Sequence, residues 1–186
     1  VIAISSRALF DLEEENQIFE KDGLDAYYKY QLENEDKSLK KGTGYRLVEN
    51  ILKINSFFSS DERQVEVIIL SKNNAATSLR ITNAINDLKL DIIRSAWTSG
   101  TNISNYLKAF KVDLFLSADD NDVLNAIENG VAAAKILPSN ENIHNSSNNQ
   151  VRIAFDGDAV LFSEESELIY KNNGLDAFIE HEKLNK

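Results

Sequence analysis

Short, almost unbroken apolar runs alternate along this chain with stretches in which apolar residues recur every three or four positions. Val1 to Ser5 and Val65 to Leu70 are runs of the first kind, as expected for parallel strands covered on both faces. Between them, acidic residues mixed with Tyr and Leu from Asp11 to Asp36 predict a helical excursion outside the sheet. Lys37 to Gly44 reads as a polar, glycine-containing return loop. Leu47, Val48, Ile51, Leu52 and Ile54 carry helical spacing, so a helix is expected over 45–58. The same reading predicts helices over 79–88, 103–110 and 123–134. It predicts strands over 91–96 and 112–116 and a last small strand near 135–137.

Strand and helix in alternation imply an α/β fold, a Rossmann-like three-layer parallel sheet with right-handed crossovers. Pro138 to Gln150, rich in Asn and Ser, reads as a linker. After it the strand pattern restarts at Arg152 to Phe155. The restart is a repeat, because residues 2–31 align without a gap onto residues 153–182, a constant shift of 151 positions. Ile2, Ala3, Ala8, Glu13, Gly23 and Asp25 return as Ile153, Ala154, Ala159, Glu164, Gly174 and Asp176. The chain therefore reads as one whole unit over 1–137 and the beginning of a second over 151–186.

The copies differ where chemistry is expected. In Val151 to Phe162 an apolar run ends in Asp156-Gly157-Asp158, where the first copy has Ser5-Ser6-Arg7. Open α/β sheets bind ligands beyond the carboxyl ends of their strands, so both segments are placed to reach a crevice. Two carboxylates one residue apart repel each other, and a hard cation such as Mg²⁺ relieves that repulsion. One carboxylate can attack phosphorus while the other moves protons. The same pair can also be a solvated turn, since Asp and Gly favour turns.

Composition narrows the classes. The 186 residues are 42% hydrophobic, enough for a core, and lack cysteine, which excludes disulfides and thiolate metal sites. A net charge of −10 argues against non-specific nucleic-acid binding. No apolar run approaches the roughly 20 residues of a membrane helix, and no signal segment opens the chain. A cytoplasmic setting is expected. The absence of an initiator Met and a stop partway through a repeat read as a piece of a longer protein.

Four features of the first unit fall at strand ends or just after them: Ser5-Ser6-Arg7, Ser71, Lys108, and the acidic cluster Asp119, Asp120 and Asp122. Each has a structural alternative. Ser71 can cap the next helix, Lys108 can be a surface lysine, and the aspartates can cap a helix start. His144 in the linker and His181 in an acidic helix lack a second ligand at metal spacing and read as bystanders.

The order Asp-X-Asp, strand-end hydroxyl, Lys, acidic pair resembles the haloacid-dehalogenase-like phosphatases. Val-Arg-Ile-Ala-Phe-Asp-Gly-Asp-Ala-Val-Leu-Phe-Ser-Glu-Glu-Ser-Glu and Ile-Ala-Ile-Ser-Ser-Arg-Ala-Leu-Phe-Asp resemble, more specifically, the cytosolic type I 5′-nucleotidases. That resemblance implies a haloacid-dehalogenase-type fold with a cap-like helical excursion over about 11–44. It also implies Mg²⁺-dependent hydrolysis of nucleoside 5′-monophosphates such as AMP or IMP. Asp156 matches the nucleophile and Asp158 the proton donor. Ser71 and Lys108 match phosphate-binding types, and Asp156, Asp158, Asp119 and Asp120 match metal-holding types. Tyr27, Tyr28, Tyr30 and Phe178 can stack on a base or simply pack. The partners of Asp156 come either from further residues of the second unit or from the first unit in a rearranged site. The alternative function is an inactive scaffold or dimerisation module, in a homo-oligomer, of a larger 5′-nucleotidase.

Overall fold

The computed structural model describes residues 1–59, 61–137, 150–154 and 163–185. The chain forms two compact units, Val1–Asn149 and Gln150–Lys186. In the first, a five-stranded sheet has the order β5-β4-β1-β6-β7, from β1 (Ile2–Ile4), β4 (Val67–Ser71), β5 (Arg94–Trp97), β6 (Leu114–Ser117) and β7 (Ala132–Lys135). All four pairings are parallel, with β1 in the centre: Ala3 faces Ile68 on one side and Phe115 on the other. This is the expected α/β, Rossmann-like sheet.

The crossovers between strands are α3 (Tyr45–Leu52), α4 (Leu79–Asp87), α5 (Ser104–Ala109) and α6 (Asp120–Glu128). Right-handed crossovers place α3 and α4 on one face and α5 and α6 on the other. Ala3, Ile68, Leu70 and Phe115 alternate onto the second face, where they bury Ile103, Leu107 and Ala126. Val67 to Leu70 are wholly buried on both sides, which explains why β4 shows no polar alternation.

The excursion after β1 is built from α1 (Ser6–Leu9), β2 (Phe10–Asp11), α2 (Glu13–Glu33) and β3 (Lys40–Lys41). Two lysines in a polar loop carry no strand signal, yet β3 pairs antiparallel with β2. The loop after it is pinned by Gly42 N–H on Leu9 O and Gly44 N–H on Ala8 O, both at 2.9 Å. A Cβ on Gly44 would lie 2.6 Å from Ala8 O, so only glycine permits this approach.

α2 is a helical hairpin. Gly23 takes φ 85° and ψ −175°, and the chain folds back there. Tyr30 OH reaches Glu14 Oε1 at 3.0 Å, whereas sixteen residues of straight helix would separate them by about 24 Å. The hairpin is tied to α4 by Arg80, whose Nη1 donates to Glu15 Oε1 at 2.5 Å and Gln31 Oε1 at 3.4 Å, and whose Nε donates to Lys37 O at 2.9 Å.

The second unit repeats this design within itself. Its helix α7 (Glu165–Leu184) breaks at Gly174 with φ 83° and ψ −178°. Tyr170 and Phe178 meet edge-on at 6.1 Å, as Phe19 and Tyr27 do at 5.9 Å. His181 lies 3.7 Å from Glu165, the positions that correspond to Tyr30 and Glu14. The duplication seen in sequence is thus also one of local structure.

Two expectations need correction. The helix expected over 123–134 ends at Glu128, because Gly130 at φ 76° turns the chain and Val131 N–H closes on Ala126 O. Ala132–Lys135 is then β7, starting earlier than the strand placed near 135–137. Val151 to Ala154 form no strand and Ile153 is exposed, against the expected buried restart. Among the described residues of that unit no strand lies beside them, and an unpaired strand leaves its N–H and C=O groups without partners. Of the expected linker over 138–150, residues 138–149 lie outside the described residues, as do residues 155–162. No described helix is long and apolar enough to cross a membrane.

Arg80 and Glu15 are only 5% and 6% exposed, so removing one charge strands the other. Arg80→Met should cost about 3–5 kcal/mol in urea unfolding followed by Trp97 fluorescence. Glu15→Leu combined with Arg80→Met should recover much of that loss. Equal destabilisation by the single and double variants would show that the charge pair is not what holds the hairpin.

Candidate functional site

The chain leaves β1 for β4 and β5 on one side, then crosses to β6 and β7 on the other. That switch between β1 and β6 opens a crevice at the carboxyl ends of the strands. A cavity of about 650 Å³ lies there, floored by Ser5-Ser6-Arg7, Ser71-Lys72-Asn73 and Ser117-Ala118-Asp119. The α2 hairpin lines it through Phe19, Leu24 and Tyr27, joined by Leu12 at the N-cap of α2.

Its floor is a connected polar network. Ser6 Oγ and Ser71 Oγ are 3.0 Å apart and buried, and either can donate. Asn73 Nδ2 donates to Ser71 Oγ at 3.3 Å and to Ser6 Oγ at 3.5 Å. Tyr27 OH donates to Asn73 Oδ1 at 2.6 Å and accepts from Gln31 Nε2 at 3.0 Å. Gln31 in turn accepts from Arg80, so the hairpin clamp and the cavity floor form one chain of hydrogen bonds. Burial pushes the Tyr27 phenol above the ordinary tyrosine value, against the lowering effect of its bonds to Gln31 and Asn73.

The residues singled out from sequence separate here. Ser71 lines the cavity and does not cap α4, whose N-cap position is Ser78. Asp119 also lines it, but its carboxylate caps α6, accepting from Asp122 N–H at 3.0 Å. Asp120 is taken by Lys135 Nζ at 2.6 Å. Lys108 is exposed on α5 and is not among the cavity-lining residues; Ser104 and Leu107 turn the buried side of that helix inward.

The ammonium in the cavity belongs to Lys72, which sequence reasoning passed over. Its Nζ lies 2.6 Å from Oδ1 of Asp122, whose side chain is 9% exposed. That oxygen accepts no well-directed hydrogen bond, so the contact is held by charge. Lys72 directly follows a strand-end serine, a position that could have drawn attention to it.

The fit to Mg²⁺ can be judged in the first unit. Asp119, Asp120 and Asp122 each already have a partner, the one beside Asp122 being an ammonium, and Ser5 and Arg7 supply no carboxylate. Among the described residues no three of His, Cys, Asp or Glu converge on one point. The first-unit residues therefore do not fit a divalent ion. Asp156 and Asp158 lie outside the described residues.

Tyr27→Phe removes both phenol hydrogen bonds and should cost about 1–2 kcal/mol near neutral pH, read from urea unfolding. The folded pKa lies above the unfolded value near 10, so this contribution is complete below that value. It should fade as pH rises through the folded pKa, and the two proteins should converge there. A gap that widens at alkaline pH would contradict the buried neutral phenol.

Comparison with known proteins agrees with this architecture. The sequence profile described as 5′-nucleotidase matches residues 1–186. Human cytosolic 5′-nucleotidase 1B is 35% identical over 187 aligned residues, covering 98% of this chain. The chain spans about 30% of the length of that relative. With a profile match over its whole length and this degree of identity, the chain belongs to the 5′-nucleotidase family.

Proposed function

We propose that this chain serves the Mg²⁺-dependent hydrolysis of nucleoside 5′-monophosphates, with Asp156 as nucleophile. The observation that carries this reading is Asp156-Gly157-Asp158 at the end of an apolar run, in a chain of the 5′-nucleotidase family. A carboxylate oxygen of Asp156 bonds to phosphorus as the bond to the 5′-oxygen breaks, and Asp158 gives that oxygen a proton. Asp158 then takes a proton from water, whose oxygen displaces the aspartyl group, releasing phosphate and restoring Asp156. Mg²⁺ held by Asp156 and Asp158 would offset the charge of carboxylates and phosphate. The resemblance favours AMP or IMP, and no residue of the motif selects the base.

The second reading is a supporting role for the unit Val1–Asn149, as an inactive scaffold of a larger enzyme. It is favoured by Ser5 and Arg7 in place of the two aspartates and by Lys72 on Asp122.

Phosphate release from AMP and IMP separates the two. With Mg²⁺ the chain should release phosphate, and EDTA or Asp156→Asn should lower the rate at least about a thousandfold. Activity unchanged in Asp156→Asn would refute the mechanism. A folded chain without activity would support the scaffold.

A further inference from the structure

A cavity with a hydrogen-bonded polar floor is kept in the first unit although Ser5 and Arg7 stand where the repeat has aspartates. It lies wholly within Val1–Asn149, and its volume of about 650 Å³ falls in the range of small-molecule sites. Its charges differ in kind from those of the repeated motif. Where the second copy has Asp156 and Asp158, the first has Ser5 and Arg7, so two negative charges give way to one positive charge.

The buried carboxylate on the β6 side is matched by the chain's own cation. Lys72 Nζ sits 2.6 Å from Asp122. The other buried acid on the wall, Glu15, is matched by Arg80. Arg7 has only a loose partner, Glu13 at 3.8 Å, and both side chains are substantially exposed. The lining also carries two carboxylates with neutral partners, Glu20 bonded to Asn16 Nδ2 and Asp119 bonded to Asp122 N–H. An incoming anion therefore finds its place on the floor at Arg7 and Lys72, beside the Ser6 and Ser71 hydroxyls and the Asn73 amide. Beyond this polar floor the cavity is lined by the apolar side chains of Leu12, Phe19 and Leu24.

We infer that this cavity binds a phosphate monoester carrying a ring, of the nucleoside monophosphate class, without a divalent metal and without hydrolysing it. The phosphate is held at Arg7 and the Ser6–Ser71 pair, with Lys72 in the role that a metal ion would otherwise fill. The ring lies against the hairpin. With no carboxylate at the end of β1 the aspartyl nucleophile of the repeated motif is missing. Among the described residues no base stands on the Ser6–Ser71 pair to activate a hydroxyl, so the ligand leaves as it came. All the residues invoked lie within Val1–Asn149, and the choice of a nucleotide as ligand and probe rests on the function proposed above.

The test is calorimetric titration of the Asp156→Asn chain in EDTA with AMP, adenosine and inorganic phosphate in turn. Asp156→Asn removes the proposed nucleophile and EDTA the metal, so the result is independent of whether hydrolysis occurs at Asp156. AMP should bind, and adenosine should bind at least about tenfold more weakly, since charge-assisted bonds to phosphate are lost. Adding Arg7→Ala should weaken AMP binding by about ten- to a hundredfold. Phe19→Ala should weaken AMP but leave inorganic phosphate unchanged. Both side chains are well exposed, and an unfolding midpoint close to that of the parent confirms that each variant is folded. No AMP binding in EDTA, adenosine as tight as AMP, or AMP binding unaffected by Arg7→Ala would each overturn the inference.

Discussion

The buried guanidinium of Arg80 is the constraint on which the first unit's architecture depends. A charge removed from water is tolerated only when its hydrogen bonds are made and its charge is matched. Here one group satisfies a carboxylate on the first arm of α2, an amide on the second arm and a carbonyl of the return loop. The hairpin has little apolar burial of its own: Glu15 and Gln31 are its buried residues. Its position over the sheet is therefore set by polar bonds to α4. Through Gln31 and Tyr27 those bonds continue to Asn73, Ser71 and Ser6, so that roof and floor of the cavity are organised together.

The internal duplication gives this arrangement a second meaning. Both copies break their hairpin at a glycine of the same conformation and brace it with an edge-on aromatic pair, although the pair is Phe19–Tyr27 in one and Tyr170–Phe178 in the other. Side-chain chemistry has changed around a preserved backbone. Glu15 and Gln31 become Ser166 and Glu182, whose side chains bond directly to each other at 2.6 Å. The sequence also differs after the two apolar runs, with carboxylates at Asp156 and Asp158 in the second copy and hydroxyls and a guanidinium at Ser5, Ser6 and Arg7 in the first. One chain thus carries a repeated local structure with different side-chain chemistry in each copy.

The sheet was legible in sequence because β4 and β6 are apolar runs whose burial on both faces leaves no competing pattern. The duplication was legible because its glycine and its flanking residues recur at one spacing. Less legible were contacts set by three-dimensional proximity. Lys72 looks like any polar residue after a strand, and only β6 arriving beside β1 brings Asp122 to it. Lys108 had the right residue type in the right order, but one step around α5 from Leu107 turns it to solvent. The β2–β3 ribbon was missed because two-residue strands have no periodicity. The end of α6 was readable from Asn129-Gly130, a stop that the apolar run through Val131 to Ala134 concealed.

The proposed function assigns nucleophilic chemistry to Asp156 and none to Ser5-Ser6-Arg7. Its most direct test is to incubate the chain with AMP and Mg²⁺, quench, reduce with borohydride and map the peptides by mass spectrometry. Borohydride converts an aspartyl phosphate to homoserine. Homoserine is expected at position 156, with no phosphorylated or reduced residue in 1–137. A modification mapped to Ser5, Ser6 or Ser71, or to an aspartate of the first unit, would contradict it.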